Sequence, residues 1–184
     1  MSVSTRPVAR ASSSASSSDA RLITPIAGKL LAVLRIAFGL VFLWAFVDKL
    51  FGLGFSTKPD SAWIHGGSPT YGYLAKGASG PFAGFYNSIA GQTWVNWLFM
   101  IALLAIGAAL ILGIGLRITA IAGGLLYLMM WTVALPPTTN PVIDDHILGL
   151  ISLAVLAATS AGLTWGLSKQ WRSIPLVAKN HWLW

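Results

Sequence analysis

Residues 29–49, KLLAVLRIAFGLVFLWAFVDK, constrain the chain more than any other segment. Between the two lysines the run is apolar for nearly its whole length, with Arg35 near its start and Asp48 at its end. A helix rises about 1.5 Å per residue, so about 20 residues cross a hydrocarbon core about 30 Å thick. The run has that length and is read as a membrane-spanning helix over residues 30–50. An arginine inside such a helix costs roughly 2.5–3.5 kcal/mol on insertion unless it reaches the headgroups or finds a partner.

The rest of the chain fits the same solvent. Charged residues make up 9% of the sequence, against about 25% in a soluble domain, and 55% of residues are hydrophobic. The net charge of +7 does not indicate nucleic acid, because the basic residues fall at the ends of apolar runs rather than in an aromatic-studded stripe. There is no cysteine, which excludes disulfides, thiolate nucleophiles, iron–sulfur clusters and zinc thiolate sites.

Three further apolar runs predict spans over residues 94–114, 118–135 and 147–165. The second and third are joined so tightly around Arg117 that they form an antiparallel pair, and Pro136-Pro137 ends the third. Glycines 107, 113, 115, 123 and 124 are of the kind that let membrane helices approach closely. The expected fold is all-α: a four-helix membrane bundle in a single domain over residues 23–168. Residues 1–22, rich in serine, read as a disordered tail. Residues 52–93 read as an outer loop whose recurring aromatics suit short interfacial helices, one begun by Ser68-Pro69 and one by Gly80-Pro81. The basic, Trp-rich segment 169–184 is amphipathic enough to lie along a membrane surface.

Lysine and arginine counts orient the spans. With both terminal segments cytoplasmic, the inner side holds Arg6, Arg10, Arg21, Lys29, Arg117, Lys169, Arg172 and Lys179, and the outer side only Lys49, Lys58 and Lys76. The expected location is therefore a membrane crossed several times, with lipids as partners and no nucleic acid.

Arg35, Gly39, Phe42, Phe46 and Lys49 recur at helical spacing and share one face of the first span. Two readings of Arg35 stand side by side: it snorkels to the inner headgroups, or it meets carbonyls or an anionic or quinone-like ligand within the bundle. Asp144, Asp145 and His146 open the fourth span. They read either as a helix cap complementing the dipole or as a proton-exchanging site at the outer surface. Haem is not expected, because only His146 lies near a span end while His65 and His181 lie elsewhere. A metal site from His65, His146 and the aspartates has no spacing behind it. Neither an inverted repeat nor a broken span argues for a solute carrier.

The chain resembles the DoxX/DoxD-like family of small four-helix bacterial membrane proteins. The resemblance rests on Leu34-Arg35-Ile-Ala-Phe-Gly39-Leu and Lys49-Leu in the first span, and on Leu112-Gly113-Ile-Gly-Leu-Arg117 closing the second. Asn140, the closing Ser160-Ala-Gly162-Leu, and Gly67-Ser-Pro69-Thr-Tyr-Gly-Tyr in the loop add to it, so that it covers about residues 29–168. It implies a membrane subunit of a redox system in the bacterial inner membrane, with a protein redox partner and electron transfer from thiosulfate to quinone as in DoxD. In that reading Arg35, Lys49, Arg117 and Asn140 match family positions and are the candidates for holding a quinone, and Asp144, Asp145 and His146 are the candidates for exchanging protons. The alternative is a non-catalytic scaffold that docks a redox partner at its outer face. Without cysteine, persulfide chemistry on this chain is excluded.

Overall fold

The structure is a computed structural model that describes residues 23–138 and 140–184. The expected disordered tail, residues 1–22, lies outside the described residues. Among the described residues every regular element is helical: α1 Pro25–Phe51, α2 Ala83–Ile89, α3 Thr93–Leu112, α4 Leu116–Val133, α5 Asp145–Ala158, α6 Ser168–Ser173 and α7 Pro175–Lys179, with short 3₁₀ and π turns between them.

Local chemistry sets the ends of these helices. Thr24 caps α1 by accepting the Ala27 N–H, and Pro25 occupies the first turn, where its missing N–H costs nothing. α1 stops at Gly52, whose left-handed conformation (φ 66°) lets its N–H bond back to the Asp48 carbonyl. α3 ends at Leu112 with Gly113 left-handed after it (φ 69°), and only Gly113, Ile114 and Gly115 separate it from α4, as the tight link in the sequence requires. α1, α3 and α4 are each long and apolar enough to cross a membrane.

The fourth apolar run differs from its expected extent. Residues 147–165 do not form one helix: α5 ends at Ala158 and has 14 residues, so it is about 21 Å long. The Thr159 hydroxyl bonds back to the Val155 carbonyl, and Ser160 turns left-handed (φ 50°). Side-chain hydroxyls that offer the backbone an alternative partner weaken a helix at such a point. The chain then folds under the end of α3, where the Leu167 N–H donates to the Leu112 carbonyl at 2.8 Å. Gly162 and Gly113 meet there so closely that a Cβ on Gly162 would lie 2.2 Å from the Gly113 oxygen.

The four longer helices pack as two antiparallel pairs, α1 on α3 and α4 on α5. Small residues make both contacts close. Gly39 faces Ile111 and Gly107 faces Leu43, whereas Gly123 faces Leu153 and Gly149 receives the Tyr127 ring. Phe42, Met100, Leu103, Ile106, Leu110, Leu153 and Leu156 fill the space between the pairs. The outward faces find no such partners. Only 22%, 39% and 28% of the most apolar windows of α1, α3 and α4 are buried, and Leu40, Val41, Leu98, Ile101, Ile121, Leu125, Leu148 and Ile151 all stand exposed. An apolar girdle of that extent is costly in water and needs no explanation in lipid.

Residues 52–93 form a cap over one end of these helices. Helical turns follow both Ser68-Pro69 and Gly80-Pro81, the second running directly into α2. Leu74 and Tyr86 from the cap close on Val133 at the end of α4. Ser79 fastens the cap there through its N–H to the Val133 carbonyl and its hydroxyl to the Leu135 carbonyl at 2.8 Å.

Candidate functional site

Arg35 is wholly buried and points inward, so the snorkelling reading is not the one the structure adopts. One guanidinium nitrogen, Nη1, donates to the carbonyls of Leu110 and Ile111 in the last turn of α3. The other, Nη2, donates to those of Trp165 at 2.9 Å and Thr164 at 3.3 Å. The last carbonyls of a helix lack intrahelical donors and carry the negative end of its dipole. Arg35 therefore ties α1 to the end of α3 and to the segment after α5. Gly113 makes room for it, since a Cβ there would lie 2.8 Å from Nη1.

Lys49 lies fourteen residues further along α1, about 21 Å away at helical rise. Its neighbour Asp48 is buried and turned to the start of the cap, where it accepts the N–H groups of Phe55 (3.3 Å) and Ser56 (3.0 Å) and the Ser56 hydroxyl (2.6 Å). Lys49 turns instead to the wall of a cavity of about 390 Å³. The cavity lies in the seam between α3 and α4, between Val95, Leu98, Phe99 and Ala102 on one side and Ala122, Leu125, Leu126, Met129, Met130 and Val133 on the other. Pro69, Thr70, Tyr73, Leu74, Tyr86 and Ile89 of the cap roof it.

The seam is open because α3 packs mainly on α1 and α4 mainly on α5. Leu98 and Leu125 belong both to the cavity wall and to the outer apolar girdle, with 60% and 57% of their surface exposed. The cavity thus opens sideways, toward the surface that lipid would cover. Its hydroxyls are committed within the chain: Tyr73 donates to the Met130 carbonyl at 3.0 Å, Tyr86 bonds Thr132 and the Met129 carbonyl, and Thr70 donates to Asn96 at 2.6 Å. Burial, with the Asp144 and Tyr86 charges adding to it, pushes the Tyr73 phenol up to about 12, so it stays a neutral donor. No carboxylate lies within 4 Å of the Lys49 ammonium, and among the described residues the one contact of that kind between a basic and an acidic side chain is His146–Asp144. An unpaired cation on an apolar wall is the cavity's one free polar group of consequence.

Asp144 caps α5, accepting the N–H groups of His146 at 3.0 Å and Ile147 at 3.2 Å, and its second oxygen takes the His146 Nδ1 at 2.7 Å. Burial opposes ionisation of this carboxyl, but the bonds from the His146 ring and from the two amides outweigh it and hold Asp144 below the usual carboxylate range. The His146 ring meets the Tyr127 ring edge-on at 6.2 Å. Asp145 is exposed and outside this arrangement.

The other two candidates have local partners. Asn140 accepts the N–H groups of Val142 and Ile143, a turn that leads the chain into α5. Arg117 donates to the His181 carbonyl at 2.8 Å at the opposite end of the molecule. Arg35, Lys49, Arg117 and Asn140 therefore do not converge on one ligand: of the four, Lys49 lines the cavity between α3 and α4 and the other three do not. No local sequence pattern marks Tyr73 or Asn96 for the contacts they make. For Asp48 the available signal is an acid at the end of an apolar helix just before a Gly-rich turn ending in serine.

Comparison of the chain with protein-family models, with curated proteins and with solved structures finds no match.

Proposed function

We propose that this is an integral membrane protein of the bacterial inner membrane in which α1, α3, α4 and α5 form a four-helix bundle. In this reading the cap and the Asp144–His146 pair face outward, and the segments before α1 and after α5 face the cytoplasm. Support comes from three helices of spanning length, the lipid-compatible girdle, and the eight-against-three division of basic residues. α5 alone is short for the bilayer, and the apolar turn at Ala161–Leu163 extends the buried path.

Within that bundle we propose that the cavity between α3 and α4 binds an isoprenoid quinone drawn from the bilayer, as the resemblance to DoxX/DoxD-like proteins implies. The observation that carries the reading is Lys49, an unpaired ammonium on the wall of an apolar cavity that opens sideways. The residues present fit the group. Ligand sites are mostly apolar with a few fixed polar groups, and here Lys49 offers N–H donors to a carbonyl oxygen while Leu98, Phe99, Leu125 and Leu126 receive the tail. A bound quinone supplies two-electron, two-proton redox chemistry, with thiosulfate as the donor class that the resemblance implies. Asp144, bonded to His146, is near enough for its charge to act on Tyr73 of the cavity roof, and Asp144, His146 and Asp145 would exchange protons with the outer solution.

Titration of the solubilised protein with a short-tailed quinone, followed by tryptophan quenching, tests this. Saturable one-to-one quenching is expected, with affinity lowered about tenfold or more in Lys49→Gln, which loses a charge-assisted hydrogen bond worth roughly 1.5–3 kcal/mol. Ala102→Trp, which fills the cavity, is expected to abolish binding. Linear, unsaturable quenching that is equal in all three proteins would sink the reading. It would favour the scaffold alternative, which has its own supporting observation: Phe55, Phe82, Phe85 and Tyr71 stand exposed on the cap, suited to docking a redox partner.

A further inference from the structure

At the end of the molecule opposite the cap, the chain after α5 folds into a plate. α6 packs on the Ala161–Leu163 turn and on α7, the closing turn His181–Leu183 packs on α7 and α4, and the plate is fastened by aromatic and basic groups. The Trp171 indole donates to the Leu183 carbonyl at 2.7 Å, and the Arg117 N–H donates to the Trp184 oxygen at 2.8 Å. The Arg172 guanidinium lies 4.7 Å from the centre of the Trp184 ring, and His181 stacks on the same ring at 4.4 Å. Val177 is the residue of α7 that turns inward. α1 adjoins the plate through Gly28, which packs against Thr164.

Two properties of this end coincide. From 147 to 184, and from 23 to 47, the sequence contains no acidic residue, while Lys29, Arg117, Lys169 and Lys179 stand exposed there. The plate also exposes large apolar groups: Trp165 (61%), Leu176 (68%) and Trp182 (63%), with Leu167 and Ile174. Leu176 and Lys179 are three residues apart on α7 and so share a face, apolar base and charged tip together. A surface of Trp and Leu interspersed with lysines, and free of acidic side chains, is complementary to one environment in particular: the headgroup layer of an anionic leaflet.

We propose that the 163–184 plate is an anionic-lipid docking surface. Leu176, Trp165 and Trp182 enter the headgroup–acyl boundary, and Lys169 and Lys179 neutralise lipid phosphates. The Trp184 clamp holds the plate in the orientation that makes both possible at once. The proposal rests on the reading that α1, α3, α4 and α5 span the bilayer, and it adds a lipid class and a set of residues to that reading.

The absence of cysteine makes a clean test available. An NBD fluorophore is placed on the full chain at Leu176→Cys, and in a separate protein at Leu40→Cys, a residue exposed on the middle of α1. Each is reconstituted into vesicles of phosphatidylcholine alone or with phosphatidylglycerol. At position 176 we expect emission to move to shorter wavelength, and aqueous quenching to fall, only when phosphatidylglycerol is present. Each basic residue near the surface contributes about fivefold to the anionic preference, so Lys169→Gln/Lys179→Gln in the same background should remove most of the difference. The position 40 probe should be buried in both lipids. If position 176 responds equally in the two lipids, whether buried or exposed, while position 40 is buried, the docking proposal is overturned and the membrane reading stands. Exposure at position 40 as well overturns both.

Discussion

Replacing Arg35 by Met is expected to destabilise the folded protein strongly without touching the cavity. The side chain satisfies four carbonyls, of which Leu110 also accepts the Gly113 N–H. The other three, from Ile111, Thr164 and Trp165, would be left without a donor. A buried polar group left unpaired costs about 1–3 kcal/mol, so three give roughly 3–9 kcal/mol. Water reaching the part-buried Thr164–Trp165 side, and relief of guanidinium desolvation, return some of this, leaving a net loss of about 3–5 kcal/mol, the range seen when one partner of a buried charged contact is removed. Arg35→Lys keeps the charge and one set of contacts, but a single ammonium cannot reach both carbonyl pairs, so about half the loss is expected. The assay is reversible unfolding in mixed micelles for the two variants and the parent. Quinone affinity of the folded fraction should not change, because Lys49 lies about 21 Å away along the helix. An Arg35→Met protein within about 0.5 kcal/mol of the parent, or one of full stability that has lost quinone affinity, would refute the reasoning and return Arg35 to a ligand role.

Other consequences follow from the same geometry. Asp48→Ala removes the acceptor for two backbone N–H groups and one hydroxyl at the start of the cap, and should cost about 2–4 kcal/mol while increasing protease cleavage between residues 52 and 58; unchanged cleavage would count against it. Gly107→Ala drives a methyl to 2.7 Å from Leu43 and should separate α1 from α3 at a cost of about 1–3 kcal/mol, measured by the same unfolding assay. The folded value of Asp144 lies below its unfolded value of about 3.9. Its stabilisation of α5 is therefore complete above that value and lost as pH falls through the lower folded one. Asp144→Asn, which retains capping, should abolish this acid-limb dependence with a cost of less than about 1 kcal/mol at neutral pH; an unchanged acid limb would assign it to another carboxyl.

The long apolar helices α1, α3 and α4 are legible in the sequence because hydrophobicity and length suffice to mark a helix able to cross a membrane. The C-terminal ends of α1, α3 and α4 fall within two residues of the expected ones, because Gly52, Gly113 and Pro136 act locally, whereas α1 begins at Pro25, five residues before the expected start of the first span. The end of α5 is not legible. Composition continues apolar through Trp165, and only the Thr159 and Ser160 hydroxyls, with Gly162 docking on Gly113, convert that run into a turn. The inward face of α1 follows from its periodicity, but the fates of its two cations do not. Arg35 and Lys49 share a face and a charge, yet one meets carbonyls at the end of α3 and the other an open seam. That difference depends on which residues α3 and α4 place opposite each of them, a property of tertiary packing. Asp144 caps α5, which is one of the two readings the sequence offers, but its bond to the His146 ring and the exposure of Asp145, identical in chemistry, depend on the local geometry of the cap.

Quinone content per chain, measured by extracting the protein purified from its native membrane in mild detergent, is the most direct test of whether the cavity under the cap holds a quinone. About one quinone per chain is expected in the parent and in Arg35→Lys, falling to the lipid–detergent background in Ala102→Trp and in large part in Lys49→Gln. Background content in the parent, or content unaffected by filling the cavity, would contradict it.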